Sequence, residues 1–509
     1  MLAGAPELHY IVSMRFFLNL LLILREPVFR CFRLSVACVF AFGLIGQTAF
    51  AYKASSRAKI ARKQDPAWTA SIGFGLGHES LISGHSDVGA QTHDERAYLS
   101  WKVKSPERYQ FRFVTDGTFG APLSRDQNTQ GREYLIEVPE LYGQWVDAPG
   151  GDTHTFVSVG RKLEAWSELD SSWHLGIWQP LNRFDGARPT EQGLIGAFMG
   201  HQGPGFRALV FASPIFVPEQ GPAFELIDGR FHAKNPWFAP PTDRLIVLNR
   251  ENEIHYTLEV PPVDAIVNHA SVGGLLYFGE GSKKVGPALQ LAFAHKPRNQ
   301  LSLPYDGYVD MKKAYVNVNP RVVYHDVFAF DSFYNFESWR LGFTVLSEIP
   351  AFNGQVPPNL TGQILGPMVF VSPSLEVRAF QSRYWGPKLK LAWLDSYEDG
   401  TKMVGPLASG EENPFGARTM FRRALQFEAS SLLYRNAGWS IDQRFRWIEE
   451  FAEEGRMLMF DLGVSVKEAW RLGLYADLLQ SRQPDDVNPG FISRFRGNDR
   501  VGTRFSVAF

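Results

Sequence analysis

The sequence predicts an all-β fold, a single antiparallel β-barrel that crosses a membrane, with about 18 strands and 16 as the alternative. Three observations predict it. An export leader opens the chain, apolar and polar residues then alternate with period two over segments of about ten residues, and the connections between those segments alternate between short and long.

The leader is read from residues 34–46, "LSVACVFAFGLIG", a short apolar core preceded by Arg25, Arg30 and Arg33 and followed by Ala49 and Ala51 in A-x-A spacing. That is the order of a secretory signal peptide, so residues 1–51 are expected to be removed. A second apolar run, "FFLNLLLIL" (16–24), lies upstream. Both cysteines, Cys31 and Cys38, fall inside the leader, and the flank of Cys38 is a poor lipidation signal. The exported chain then has no thiol and no disulfide. Residues 52–66 form a short segment ahead of the barrel, which is expected over 67–509. The whole chain has a formal net charge of -1, which gives no footprint for nucleic acid.

The alternating segments come in order. "WTASIGFGLG" (68–77) sets Trp68, Ala70, Ile72, Phe74 and Leu76 against Thr69, Ser71 and three glycines. "AYLSWKV" (97–103) and "YQFRFVT" (109–115) continue the pattern, the latter with Arg112 between Phe111 and Phe113. "WSIDQRFRW" (439–447), "LMFDLGVSV" (458–466), "RLGLYADLL" (471–479) and "RVGTRFSVAF" (500–509) close the chain. These runs are longer than typical globular strands and suit tilted membrane strands.

Connections sort by length. "SPER" (105–108), "APGGD" (148–152), "HQGPG" (201–205), "SPS" (372–374), "RNAG" (435–438) and "KEA" (467–469) read as tight turns. Residues 78–95, 117–131, 163–191, 213–252, 349–361, 396–422 and 481–499 read as long loops. Turns at one end and loops at the other are the asymmetry of transmembrane barrels. The parity clashes within 253–297, where "PPVD" (261–264) and "GEGSKKVG" (279–286) are both short. The raw count over the whole chain is 19, an odd number, so one strand in that interval is misplaced and 18 is preferred.

Charge follows the same phase. A charge facing lipid at mid-bilayer costs about 2–4 kcal/mol for Arg or Lys, so the polar phase must face the lumen. Arg112, Asp442, Arg444, Arg446, Asp461, Arg471, Asp477 and Arg504 are the expected lumen residues. They serve equally as a selectivity lining or as a salt-bridged network that rigidifies the wall. Trp68, Trp101, Trp145, Trp439 and Trp447 lie towards strand ends, as interface aromatics do.

The loop 163–191 carries Trp166, Asp170, Trp173, Trp178, Arg183, Asp185 and Arg188. It either folds inward to constrict the pore or caps the barrel from outside. No catalytic site is expected. "VNHAS" (267–271) gathers Asn268, His269 and Ser271, but triads are defined by geometry rather than adjacency. The histidines lack metal-ligand spacing, and no metal or cofactor is expected.

Taken together, these features resemble Gram-negative outer-membrane β-barrels of the porin-like kind. The stretch 159–196, with its "FDG" segment, is weakly similar to large porins and alginate-export-type barrels. The resemblance implies an outer-membrane location and passive diffusion of small hydrophilic solutes. It implies as partners the membrane lipid and the barrel assembly machinery, which would read Phe505, Val507 and Phe509, and it leaves a homotrimer open. A closed or gated structural or adhesion barrel, and less favourably a barrel hydrolase, are the alternatives.

Overall fold

A computed structural model describes residues 68–509 apart from 83–92, 107–108, 124–133, 248–249, 280–284, 311–312, 352–354, 379–385, 406–417, 437, 468 and 483–489. The leader and the segment 52–66 lie outside the described residues.

An 18-stranded antiparallel sheet closes on itself. Its strands are β1 (Thr69–Leu81), β2 (His93–Lys104), β3 (Phe111–Pro122), β4 (Leu135–Val146), β5 (His154–Lys162), β6 (Leu194–Gly203), β7 (Phe206–Ser213), β8 (Ser271–Gly279) and β9 (Gly286–Pro297). They continue with β10 (Tyr324–Asn335), β11 (Trp339–Pro350), β12 (Met368–Arg378), β13 (Lys388–Glu398), β14 (Arg423–Asn436), β15 (Trp439–Glu450), β16 (Gly455–Val466), β17 (Trp470–Ser481) and β18 (Arg500–Ala508). Each strand pairs with its neighbours in sequence, and β18 returns to β1 in a register from Gly73↔Ala508 to Leu81↔Arg500. Hydrocarbon offers the backbone no hydrogen-bond partners, so a sheet that crosses it must leave no edge.

Register decides facing. Ile72, Phe74 and Leu76 on β1 are exposed on the outer surface, as are Phe111, Phe293, Phe328 and Leu472 on their strands. In water such a belt would be an aggregation hazard; around a closed barrel it is the lipid contact. Trp68, Trp145, Trp339, Trp439 and Trp470 are exposed at one rim, beside the short turns, where indole rings prefer the headgroup level. In barrels of this class that rim is periplasmic and the long connections lie outside.

Three connections differ from the sequence reading. Residues 250–258 alternate like a membrane strand but belong to a separate four-stranded sheet with 244–247, 313–318 and 305–309. This sheet arises from the connections β7–β8 and β9–β10 and has its own small core of Ile254, Tyr256, Ala314 and Val318. Removing it from the count turns 19 into 18 and restores the parity. "PPVD" is no turn, because a short helix, Val263–Val267, starts within it. "SPS" lies inside β12, where Pro373 faces Phe343 of β11. Pairing to β13 skips from Val371↔Asp395 to Ser374↔Ala392, so the missing proline N–H falls in a gap of the ladder. β12 runs on to Arg378 and β13 starts at Lys388, so the connection between them comes after this motif.

Candidate functional site

The connection 163–193 enters the barrel. Its short helix α1 (Glu168–Trp173) starts at Ser167, whose side chain accepts from Asp170 N, and stops at His174 in the left-handed region with φ 49. Asp170 then shapes the next turn by accepting from Ile177 N at 3.0 Å and Trp178 N at 2.9 Å. Burial pushes the Asp170 carboxyl up, against the pull of these N–H groups. These local bonds aim three buried tryptophans inward. Trp166 and Trp178 stack with ring centres 5.1 Å apart, and Trp173 meets Phe421 edge-on at 6.1 Å.

The inner wall holds the loop at many points. Gln290 of β9 donates to Trp166 O at 2.9 Å, and Asp331 of β10 accepts from Glu168 N at 2.9 Å. Trp173 Nε1 donates to Ser372 Oγ of β12 at 3.1 Å. Lys390 of β13 donates to Ser172 Oγ at 2.6 Å, and Arg446 of β15 to Ser172 O at 2.7 Å. One apolar cluster runs from inward residues such as Phe198, Leu209, Leu346 and Ile448 through the loop tryptophans to Trp237 and Ile492 of other connections.

A charged latch closes the opposite side. Arg188 donates to Asp477 through Nε at 2.9 Å and Nη2 at 2.6 Å, and to Asp461 through Nη1 at 2.5 Å. Arg500 of β18 joins Asp477 at 2.8 Å, Asp185 of the loop at 2.7 Å and Glu79 of β1 at 3.0 Å. Tyr475 donates to Glu79 at 2.7 Å and lies under both guanidinium groups. Arg183 pairs instead with Glu219 in the connection β7–β8.

The remaining predicted lumen residues lie nearer the periplasmic rim. Arg471 donates to Asp442 at 2.9 Å, across Gly463, where a Cβ would sit 2.6 Å from Arg471 Nη2. Arg444 donates to Glu428 at 2.9 Å. Arg504 lies over the Tyr98 ring, 4.9 Å from its centre, and Arg112 stands opposite Gln144 in register. Phe505, Val507 and Phe509 occupy the outward phase of β18.

Solvent access changes steeply along the barrel. The side chains of Lys102, Arg444 and Arg471 remain 64%, 52% and 54% accessible although they point inward. Nearer the loop, Arg500 and Asp477 fall to 1% and 0%. The inward side chains of the periplasmic half are polar and solvent-accessible, and the folded-in loop narrows the lumen above them.

Sequence reasoning missed Glu79, Arg500 and Tyr475. Their signal was present: Glu79 continues the inward phase of Gly73, Gly75 and Gly77, and Arg500 that of Arg504. His269 Nε2 lies 3.0 Å from Ala265 O of the short helix that precedes it.

Closure, an outer apolar belt and a charged interior make this chain an outer-membrane β-barrel. No family description matches the sequence, and no curated protein is recognisably similar to it. Solved structures with a distant likeness to the chain include three barrels and porins. A BenF-like porin from Pseudomonas fluorescens Pf-5 is 9% identical, covering 87% of this chain and 98% of its own, with a TM-score of 0.44. OccAB3 of Acinetobacter baumannii is 11% identical over 87% and 99%, with a TM-score of 0.43. Wzi of Escherichia coli, described as a carbohydrate-binding β-barrel involved in capsule assembly, is 10% identical over 87% and 84%, with a TM-score of 0.41. Likeness this distant transfers no activity.

Proposed function

We propose that the protein is a channel for passive passage of small hydrophilic solutes across the outer membrane, with no catalytic step. The observation that carries this reading is the half-open surface of Lys102, Arg444 and Arg471, which points to a hydrated lumen. Each cation has a carboxylate beside it, so the field is mixed and selectivity is set at the narrow part, by Arg188, Asp461 and their partners. Phe505, Val507 and Phe509 are assigned to recognition by the barrel assembly machinery.

The tryptophan cluster favours a second reading, a barrel that is closed until the loop moves. Planar-bilayer recordings of the wild type and Arg188→Ala separate the two. Small conductance steps in the wild type, enlarged in the variant, are expected of the channel. Conductance in the variant alone identifies a gated barrel, and none from either at any voltage overturns the channel reading.

A further inference from the structure

Six long connections, all from the outer end, converge on a cavity of about 330 Å³ that is separate from the latch. That volume is at the small end of ligand sites, which start at about 300 Å³. Four arginines line it, and three have partners. Arg183 pairs with Glu219. Arg298 reaches Glu348 at 2.7 Å, and Arg418 reaches Glu348 at 2.9 Å and Glu398 at 2.6 Å.

The fourth is different. Arg494, at the end of a one-turn helix (Phe491–Arg494), makes no side-chain hydrogen bond or ion pair with any described residue. Glu453 acts on it only through space. A half-buried guanidinium normally recruits a carboxylate, because its five donors need acceptors once water is thinned out. Polar groups with no described partner line the same cavity. Thr419 Oγ1 is buried with no hydrogen-bond partner among the described residues. The side chains of Ser302 and Gln363, on the same cavity wall, bond no described residue. Phe491 and Phe495, 5.1 Å apart, supply ring faces.

We propose that this cavity binds a small monocarboxylate carried on a hydroxylated six-membered ring. The carboxylate meets Arg494, the hydroxyls satisfy Thr419, Ser302 and Gln363, and the ring's apolar face rests on Phe491. A simple anion would leave the hydroxyl-matching groups empty, and a neutral polyol would leave the cation unpaired. The site is built from connections at the outer end rather than from the barrel wall, so its occupancy does not depend on whether the barrel conducts.

Three probes of one ring size test this by titration calorimetry on the detergent-purified full chain: quinate, cyclohexanecarboxylate and myo-inositol. Quinate is expected to bind saturably, with the other two about tenfold or more weaker. Arg494→Gln should weaken quinate about tenfold or more, while Arg494→Lys, which keeps the charge, loses less. Thr419→Val should weaken quinate but leave cyclohexanecarboxylate unchanged, and it carries the test if Arg494→Gln fails to assemble. Absence of saturable quinate binding, equal binding of the three probes, or unchanged affinity in both Arg494→Gln and Thr419→Val overturns the site. Conductance without quinate binding defeats only this site; quinate binding without conductance defeats only the channel reading.

Discussion

Arg188 grips Asp477 with two nitrogens, at 2.9 Å and 2.6 Å, and so ties the connection 163–193 to β17, 289 residues further along the chain. Asp477 is fully buried, and its other partner is Arg500. The loop's position in the lumen therefore depends on a contact that neither segment makes alone.

Removing that contact should free the loop. Arg188→Ala leaves a buried carboxylate short of one cation, at a cost of about 2–4 kcal/mol. Limited proteolysis should then cut within 163–193 faster than in the wild type, and Arg188→Lys, which cannot form the same fork, should lie between. Equal cleavage rates would show that the tryptophans alone hold the loop.

Trp173 is the apolar counterpart of the latch. Trp173→Ala removes a fully buried ring and its bond to Ser372, at a cost of about 3–5 kcal/mol. Trp173→Phe keeps much of the packing and should lose less than half of that. Thermal unfolding followed by loss of heat-modifiable migration measures both.

Acid should loosen the same loop. His174 is buried beside Arg446, Arg444, Arg183 and Lys390, and burial first, then these cations, hold its imidazole down at about 3 against an ordinary value of 6.5. The folded state thus binds fewer protons than the unfolded state between those values. The stability His174 contributes is complete above pH 6.5 and is lost as pH falls towards 3, about 2 kcal/mol by pH 5. Tryptophan fluorescence should report loop release between pH 6.5 and 4.5, and His174→Gln should flatten the profile.

Phe509 closes the seam. Its N–H donates to Ile72 O at 2.9 Å, it accepts from Ile72 N at 3.2 Å, and its ring meets Phe74 edge-on at 6.4 Å. Phe509→Ser keeps the backbone bonds and loses a ring that is 78% exposed on the outer surface. Less folded barrel should reach the membrane, while conductance per molecule stays unchanged. Normal membrane levels would remove Phe509 from any role in assembly.

Selectivity follows the pairs nearer the periplasmic rim. Arg471→Gln strands Asp442 and Arg444→Gln strands Glu428, so the double variant should shift reversal potentials towards cations in a salt gradient. The shift should shrink as salt rises, because the groups are hydrated and screened.

Much of the barrel was legible in advance because its rule is local. A strand between lipid and water must alternate, and the charges of Arg112, Arg444, Arg471 and Arg504 mark the inward phase without reference to any other strand. The rule also misleads. Residues 250–258 alternate for a different reason, since one face covers Ile254 and Tyr256 in a small outer sheet. Period two reports a half-buried surface, and it does not say whether the covered side meets protein or hydrocarbon.

By itself, the sequence determined the fold class, the strand number once parity was enforced, and the facing of the strands at the two ends of the chain, because these follow from nearest-neighbour chemistry along the chain. Only the tertiary structure decided that 163–193 lies inside the lumen, that Glu79, Asp185, Arg188, Asp477 and Arg500 form one cluster, and that Arg494 lines a cavity between six connections with no side-chain partner among the described residues. Each of those outcomes is a meeting of side chains distant in sequence, and the energy that selects it exists only after the barrel has closed.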